Sequence, residues 1–178
     1  MIYNMDFLIS AMVILLLILW HFLGQKRAED LNNRVFLFFA VLGTADVVAE
    51  FFTNYYITSY NSDMENAAVI VTTIFYLLQA LLPVTFIFYI QTLHEQKIIS
   101  AKKMFISGVP TLVLISVILT NPFTEKLFSF DVTAGYVKGP WYLLMYVSAL
   151  GHFAVALLLI LLWRKKLGPQ KEKILLEI

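Results

Sequence analysis

The stretch that decides the fold is 121–142, NPFTEKLFSFDVTAGYVKGPWY, the longest segment of the chain that cannot form a membrane helix. Its centre predicts a short β-hairpin, because Leu127, Phe128 and Phe130 favour a strand and 132–135 favours a turn. A returning strand follows at 136–137 and ends at the Gly-Pro pair 139–140. Two long apolar runs flank this segment, so we expect it to form a folded surface on one side of a membrane.

The composition is that of a membrane protein. Of the 178 residues, 60% are hydrophobic and 14% are charged, and the mean hydropathy is +0.79. A soluble domain has nearly twice that charged fraction. The chain contains no cysteine, which excludes disulfides, thiolate metal sites and cysteine nucleophiles. It has no basic tract, so we expect no nucleic-acid partner.

Five apolar runs are long enough to cross a bilayer, which needs about 20 apolar residues per helix. The first lacks the basic start and the cleavage site of a signal peptide, and Gln25-Lys26-Arg27 follows it. We therefore count it as a membrane span. The predicted spans are 7–23, 34–57, 67–93, 104–120 and 142–163, with the loop 121–141 between the last two. The segment 171–178, KEKILLEI, reads as the start of a sixth helix or as an amphipathic tail on the membrane surface.

The basic residues predict the orientation of these spans. If the amino terminus lies outside, 11 of the 13 Lys and Arg residues fall in cytoplasmic segments. Only Lys126 and Lys138, both in the loop, lie outside. Because Lys and Arg accumulate on the cytoplasmic side of membrane proteins, the sequence predicts an outside amino terminus and an extracellular loop.

Several polar residues fall inside the predicted spans. Asp46 and Glu50 are four residues apart and share a helix face. Counting about 1.5 Å per residue places Asp46 and Gln79 about 18 Å deep and His152 about 15 Å deep. An ionisable group at such a depth costs about 2.5 kcal/mol or more unless it is paired or hydrated. We therefore expect these side chains to face one another, with Asp46 and His152 as a charged pair.

Two interpretations of these polar residues stay open. One is a ligand-binding or proton-sensing pocket that opens outward beneath the loop. The other is a set of hydrogen bonds that only fixes helix packing, and this one is favoured for His152 and Gln79. Trp141 and Tyr142 stand where aromatic residues meet a lipid–water boundary. The candidate ligand-binding residues are Asp46, Glu50, Gln79, Asn121, Phe130, Asp131, Tyr136, Trp141, Tyr142 and His152.

The loop also carries the residues of a known pattern, namely Asn121, Pro122, Phe128, Phe130, Asp131, Tyr136, Gly139, Pro140 and Tyr142. With five hydrophobic runs and an outside amino terminus, this pattern resembles the amino-terminal seven-helix sensor region of bacterial histidine kinases and GGDEF diguanylate cyclases. The chain corresponds to five of those seven helices. It contains no GGDEF, EAL or kinase histidine motif.

The resemblance implies a sensory input domain of a bacterial signalling protein, multi-pass in the cell membrane. Its partners would be the lipid bilayer, a small extracellular ligand and a cytoplasmic effector. For that effector, a diguanylate cyclase is the first choice and a histidine kinase the second. Homodimerisation is left open. No metal-ligand, catalytic-triad or phosphate-loop pattern occurs, so we expect no metal, no cofactor and no enzymatic activity in this chain.

The predicted fold is thus an all-α membrane protein, a five-transmembrane-helix bundle with a short extracellular β-hairpin between helices 4 and 5. Two rival functions remain. A transporter or channel component would also explain carboxylates at mid-membrane depth, although no internal repeat is visible. A passive membrane anchor would need no pocket at all.

Overall fold

Five helices and one hairpin form the computed structural model, which describes residues 5–24, 30–95, 101–131 and 133–163. The segment 171–178 lies outside these residues. In chain order the elements are α1 (Met5–Gly24), α2 (Leu31–Thr58), a 3₁₀ turn (Ser62–Met64), α3 (Glu65–Glu95), α4 (Ala101–Thr124), β1 (Phe128–Asp131), β2 (Gly135–Lys138) and α5 (Leu143–Trp163).

Four of the helices have the length and composition of membrane spans. Within the described residues, the helical segments Asp6–Gly24, Leu31–Thr58, Ser62–Leu93 and Leu143–Leu162 are long and apolar enough to cross a bilayer. The predicted span 104–120 lies in α4 (Ala101–Thr124), and the part of α4 whose side chains are described, Gly108–Thr124, is apolar. The structure therefore confirms a mostly helical chain with five helices and one hairpin among the described residues, and four of these helices are long and apolar enough to span a membrane.

Helix α3 is the centre of the bundle. It packs against α2, α4 and α5, and its first half also contacts β1 of the hairpin. Helix α1 contacts α2 at the periphery. Pro83 lies inside α3, and the helix continues past it to Glu95. Because α3 touches all of these elements, side chains on α3 hold the hairpin end and the bundle together.

Large apolar side chains cover the outside of the bundle. Phe7 and Trp20 on α1 and Leu143 and Leu150 on α5 are each at least two-thirds exposed. A soluble protein rarely exposes apolar surface on this scale. Such a surface is favourable against lipid, where the backbone hydrogen bonds are satisfied within each helix. The exposed apolar face therefore agrees with the hydropathy of the helices.

The hairpin forms where the sequence predicts it. Strands β1 and β2 pair antiparallel, with Phe130 opposite Tyr136 and Asp131 opposite Gly135. Gly135 has a positive φ of 68°, a conformation that glycine adopts without steric cost. The carboxylate of Asp131 accepts hydrogen bonds from the backbone N–H groups of Thr133 (2.8 Å) and Ala134 (2.9 Å). These contacts fix the turn.

The hairpin is closed at its base by a close approach of two backbone segments. The N–H of Gly139 donates to the carbonyl of Leu127, and the N–H of Trp141 donates to that of Lys126, both at 2.8 Å. A Cβ atom on Gly139 would lie 2.2 Å from the Lys126 carbonyl oxygen. Only glycine fits this position.

The loop begins later than predicted. Helix α4 continues through Asn121 and Pro122 to Thr124, whereas the sequence placed 121–141 in the loop. The N–H of Glu125 still donates to the carbonyl of Asn121, at 2.8 Å, and Glu125 itself has a positive φ of 54°. This left-handed residue ends the helix, as is common at helix C termini.

Candidate functional site: a cavity beneath the hairpin

A cavity of about 500 Å³ lies between α2, α3, α5 and the hairpin. Tyr136 of β2 borders it at one end, and Asp46 of α2 and Pro83 of α3 border it deeper in the bundle. Five of the ten predicted ligand-binding residues line this cavity. They are Asp46, Glu50, Gln79, Tyr136 and Tyr142.

Two carboxylates on one face of α2 border the cavity. Asp46 and Glu50 are one helical turn apart, as their spacing predicts. Asp46 is only 9% exposed, and its Oδ1 atom has no hydrogen-bond partner among the described residues. A buried polar atom without a partner is costly. The structure therefore contains one carboxylate oxygen whose hydrogen-bonding capacity is unused.

Two further polar residues of α2 repeat this feature. Thr53 and Asn54 line the same cavity and are 3% and 4% exposed. Within the described part of the chain, neither the Thr53 hydroxyl nor the Asn54 Nδ2 atom has a hydrogen-bond partner. Unsatisfied buried polar atoms are uncommon in folded proteins. Buried atoms of Asn32, Tyr60 and Thr72 also lack a partner among the described residues. Those of Asp46, Thr53 and Asn54, however, lie together beside one cavity, which points to a binding site.

Four tyrosines line the end of the cavity nearest the hairpin. The hydroxyl groups of Tyr76 (α3) and Tyr136 (β2) are 2.5 Å apart, and those of Tyr142 and Tyr146 are 3.2 Å apart. The Tyr76 and Tyr142 rings meet edge to face, with their centroids 6.3 Å apart. These contacts connect the hairpin to α3 and α5 through the cavity wall.

Gln79 and Pro83 form part of the α3 wall of the cavity. Both line the cavity and are four residues apart on α3. Proline has no N–H, so Pro83 cannot make the helical hydrogen bond to the Gln79 carbonyl. Gln79 is itself exposed.

His152 has other partners than the predicted Asp46. It is buried on α5, and its Nδ1 atom is 2.7 Å from the Ser148 carbonyl oxygen. Because a carbonyl only accepts, Nδ1 carries the proton. Nε2 lies 2.9 Å from the Thr111 hydroxyl of α4. His152 thus joins α5 to α4, and it borders a different, apolar groove between those helices.

Three more of the predicted residues hold the hairpin together. The amide of Asn121, 1% exposed, accepts from the Leu127 N–H (2.7 Å) and donates to the Phe128 carbonyl (2.9 Å). Phe130 stacks on Tyr60, with ring centroids 5.2 Å apart. Asp131 is exposed and caps the turn. Hydrogen bonds from the Thr133 hydroxyl and the turn backbone lower the pKa of Asp131.

Trp141, the last predicted residue, lies away from the cavity. It is 43% exposed, and the Lys126 ammonium lies 4.3 Å from the centroid of its ring. The Lys138 ammonium lies similarly over Tyr142, at 4.4 Å. Both lysines of the hairpin side therefore rest on aromatic rings.

The sequence interpretation missed Thr53, Asn54, Tyr76 and Tyr146. Thr53 and Asn54 follow Glu50 by one turn and could have been found from that spacing. The two tyrosines gave no such signal, because aromatic residues at helical spacing usually only pack. Across the described residues, no group of three or more His, Asp or Glu side chains could hold a metal ion.

Comparison with known proteins adds no relative. No protein-family model, no curated protein and no solved structure matches this chain.

Proposed function

We propose that this chain is a transmembrane sensory input domain that binds a small ligand in the cavity beneath the hairpin. The supporting observation is that α2, α3, α5 and β2 all border one cavity. In it, Asp46, Thr53 and Asn54 have atoms with no partner in the described part of the chain. A ligand that satisfies these atoms binds one helix arrangement better than another. Such unequal affinity is what shifts a conformational equilibrium.

The proposed topology has α4 as a fifth span, with the amino terminus and the hairpin outside the cell. Its support is the charge distribution, since only Lys126 and Lys138 among the basic residues lie on the hairpin side. In this topology the cavity opens to the exterior. The ends of α3 and α5 at Glu95 and Trp163 then lie at the cytoplasmic side.

The resemblance of the loop to bacterial sensor regions supports a cytoplasmic effector that receives the conformational change. A diguanylate cyclase is the first choice for this effector and a histidine kinase the second. The test is the full-length protein in cells, with cyclic di-GMP and autophosphorylation as readouts. We expect Asp46→Asn and Tyr136→Ala to change the output, and Asp63→Asn, an exposed acid on the 3₁₀ turn, to leave it unchanged. If both cavity variants give the same output as the unchanged protein with every ligand and at every pH tested, the proposal is contradicted.

Sidedness is tested separately. A cysteine replacing Ala134 at the hairpin turn should react with a membrane-impermeant maleimide in intact cells, whereas one replacing Lys102 should react only after lysis. The reverse result would invert the topology and remove the extracellular pocket.

A transporter is the second candidate, because Pro83 interrupts the hydrogen bonding of α3 in the same cavity wall as Asp46, whose Oδ1 atom has no partner among the residues described. It predicts substrate flux into proteoliposomes that Asp46→Asn abolishes. The sensory proposal predicts binding without flux.

A further inference from the structure

We infer that the ligand of this cavity is a small organic cation, held by Asp46 and Glu50 and enclosed by tyrosine rings. The inference rests on the proposed function, since it assigns a ligand class to the same cavity.

The charges on the cavity wall are of one sign. Asp46 and Glu50 are the charged residues among those that line the cavity, and no described lysine, arginine or histidine borders it. Carboxylates one turn apart repel each other when both are ionised. A cation between them would remove that repulsion and satisfy the free Oδ1 atom of Asp46.

The uncharged polar groups define the rest of the ligand. The Gln79 carbonyl, which Pro83 cannot bond, is a further acceptor for an N–H group or a partial positive charge. The Asn54 Nδ2 atom is a donor that has no partner within the described ranges. It requires an acceptor on the ligand, such as a hydroxyl oxygen. An amino alcohol carries both features.

The aromatic wall favours an organic cation over a metal ion. Cations are attracted to the faces of tyrosine rings, and Tyr76, Tyr136, Tyr142 and Tyr146 all border the cavity. The Lys138 ammonium already rests on the Tyr142 ring, so this chain makes the same contact with its own cation. Calcium would instead need six to eight oxygen ligands, which two carboxylates do not provide.

The size of the cavity agrees with this ligand class. Its volume of about 500 Å³ lies in the range of small-molecule sites, about 300–1,000 Å³. A bare metal ion would leave most of that space unfilled.

The experiment measures binding to the purified chain in lipid nanodiscs by isothermal titration calorimetry. The probes are choline, benzyltrimethylammonium and 3,3-dimethylbutan-1-ol, the uncharged carbon isostere of choline. Sodium and calcium chloride form the metal arm. We expect at least one ammonium probe to bind, and the isostere to bind at least about tenfold more weakly than choline, the effect of losing one close charge pair.

Variants then assign the contacts. Asp46→Asn should weaken ammonium binding by about tenfold or more, and Tyr146→Leu by about threefold to tenfold. Tyr146 is 51% exposed, so its replacement should leave folding intact. Glu50→Gln is the second carboxylate variant if Asp46→Asn unfolds the protein. Asp63→Asn is the matched control and should bind like the unchanged chain.

Three results would overturn the inference: no ammonium probe binds, choline and its isostere bind equally, or the carboxylate variants leave binding unchanged. Selective binding of sodium or calcium at Asp46 would replace it with a metal site. Failure of the sensory proposal is distinguishable, because ammonium binding without any change in cellular output overturns that proposal and leaves the cation site. Cellular output that depends on Asp46, in a protein that binds no ammonium probe, overturns the cation site and leaves the sensory proposal.

Discussion

The hairpin and the cavity beneath it meet at Tyr136, yet they differ in whether their polar atoms have hydrogen-bond partners. In the hairpin, the buried amide of Asn121 and the exposed carboxylate of Asp131 are hydrogen-bonded to nearby backbone groups. In the cavity, polar atoms of Asp46, Thr53 and Asn54 have no partner among the described residues. The hairpin residues therefore serve the fold, while the cavity residues are maintained at a cost to it.

This difference makes opposite predictions for substitutions in the two regions. Removing a polar or closely packed group from the hairpin should destabilise the protein. Removing one of the unpartnered polar groups of the cavity should stabilise the protein and impair binding, the trade-off seen at many functional sites.

The largest effect is expected for Gly139→Ala. The added Cβ atom would lie 2.2 Å from the Lys126 carbonyl oxygen, so the base of the hairpin must open. We expect a loss of about 4 kcal/mol or more in the free energy of unfolding, measured by SDS titration in mixed micelles. Gly151→Ala is the control, because nothing lies within 4 Å of its Cβ position. Equal stability of the two variants would contradict the closed hairpin.

Asn121→Ala should have the second-largest effect, a loss of about 3 kcal/mol in the free energy of unfolding. It leaves the Leu127 N–H and the Phe128 carbonyl buried without their partner, and each such group costs about 1–3 kcal/mol. Limited proteolysis of the hairpin and the same unfolding titration would check this. Asn66→Ala, at an exposed position of α3, should change stability by less than about 0.5 kcal/mol. If Asn121→Ala changed stability as little as Asn66→Ala, Asn121 would not organise the hairpin.

Asp46→Val should act in the other direction, raising the free energy of unfolding by about 2 kcal/mol, because a charged group in the membrane interior costs about 2.5–3.5 kcal/mol. The same titration measures it, with Asp63→Ala as the exposed control. A clear destabilisation by Asp46→Val would mean that Asp46 belongs to the fold as Asn121 does. The contrast between the two regions would then disappear.

The smallest effect is expected from pH at Asp131. Hydrogen bonds from Thr133 and Ala134 lower the pKa of Asp131 below its ordinary value of 3.8. A group with a lowered folded pKa stabilises the fold above its unfolded pKa. That contribution is lost as the pH falls below about 3.8 through the folded pKa. Proteolysis of the hairpin turn should therefore accelerate in that window, and Asp131→Asn should remove the pH dependence of this step.

The hairpin could be predicted from sequence because its signals are local. Alternating aromatic residues, a turn ending in Gly135 and the pair Gly139-Pro140 lie within a dozen positions of each other. The role of Asn121 could not be predicted in this way. An Asn-Pro pair reads as a helix end, whereas here the helix continues to Thr124 and the Asn121 side chain reaches the next strand.

The cavity was predicted in part, for a geometric reason. Counting residues along a helix gives the depth of a side chain, and it brought Asp46, Gln79 and His152 to a common level. It does not give the direction in which a side chain points around the bundle, which depends on how the helices pack. His152 faces Thr111 of α4, and only Asp46 and Gln79 of the three border the cavity.

The length of α3 has a consequence for the lipid around the protein. Its 31 residues extend about 46 Å, against a hydrocarbon core of about 30 Å. The excess must be accommodated by tilt or by projection into the headgroup region. Because α3 carries Tyr76, which bonds the hairpin through Tyr136, a change in bilayer thickness would act directly on the cavity wall. We expect ligand affinity to vary with acyl-chain length in nanodiscs of defined lipid.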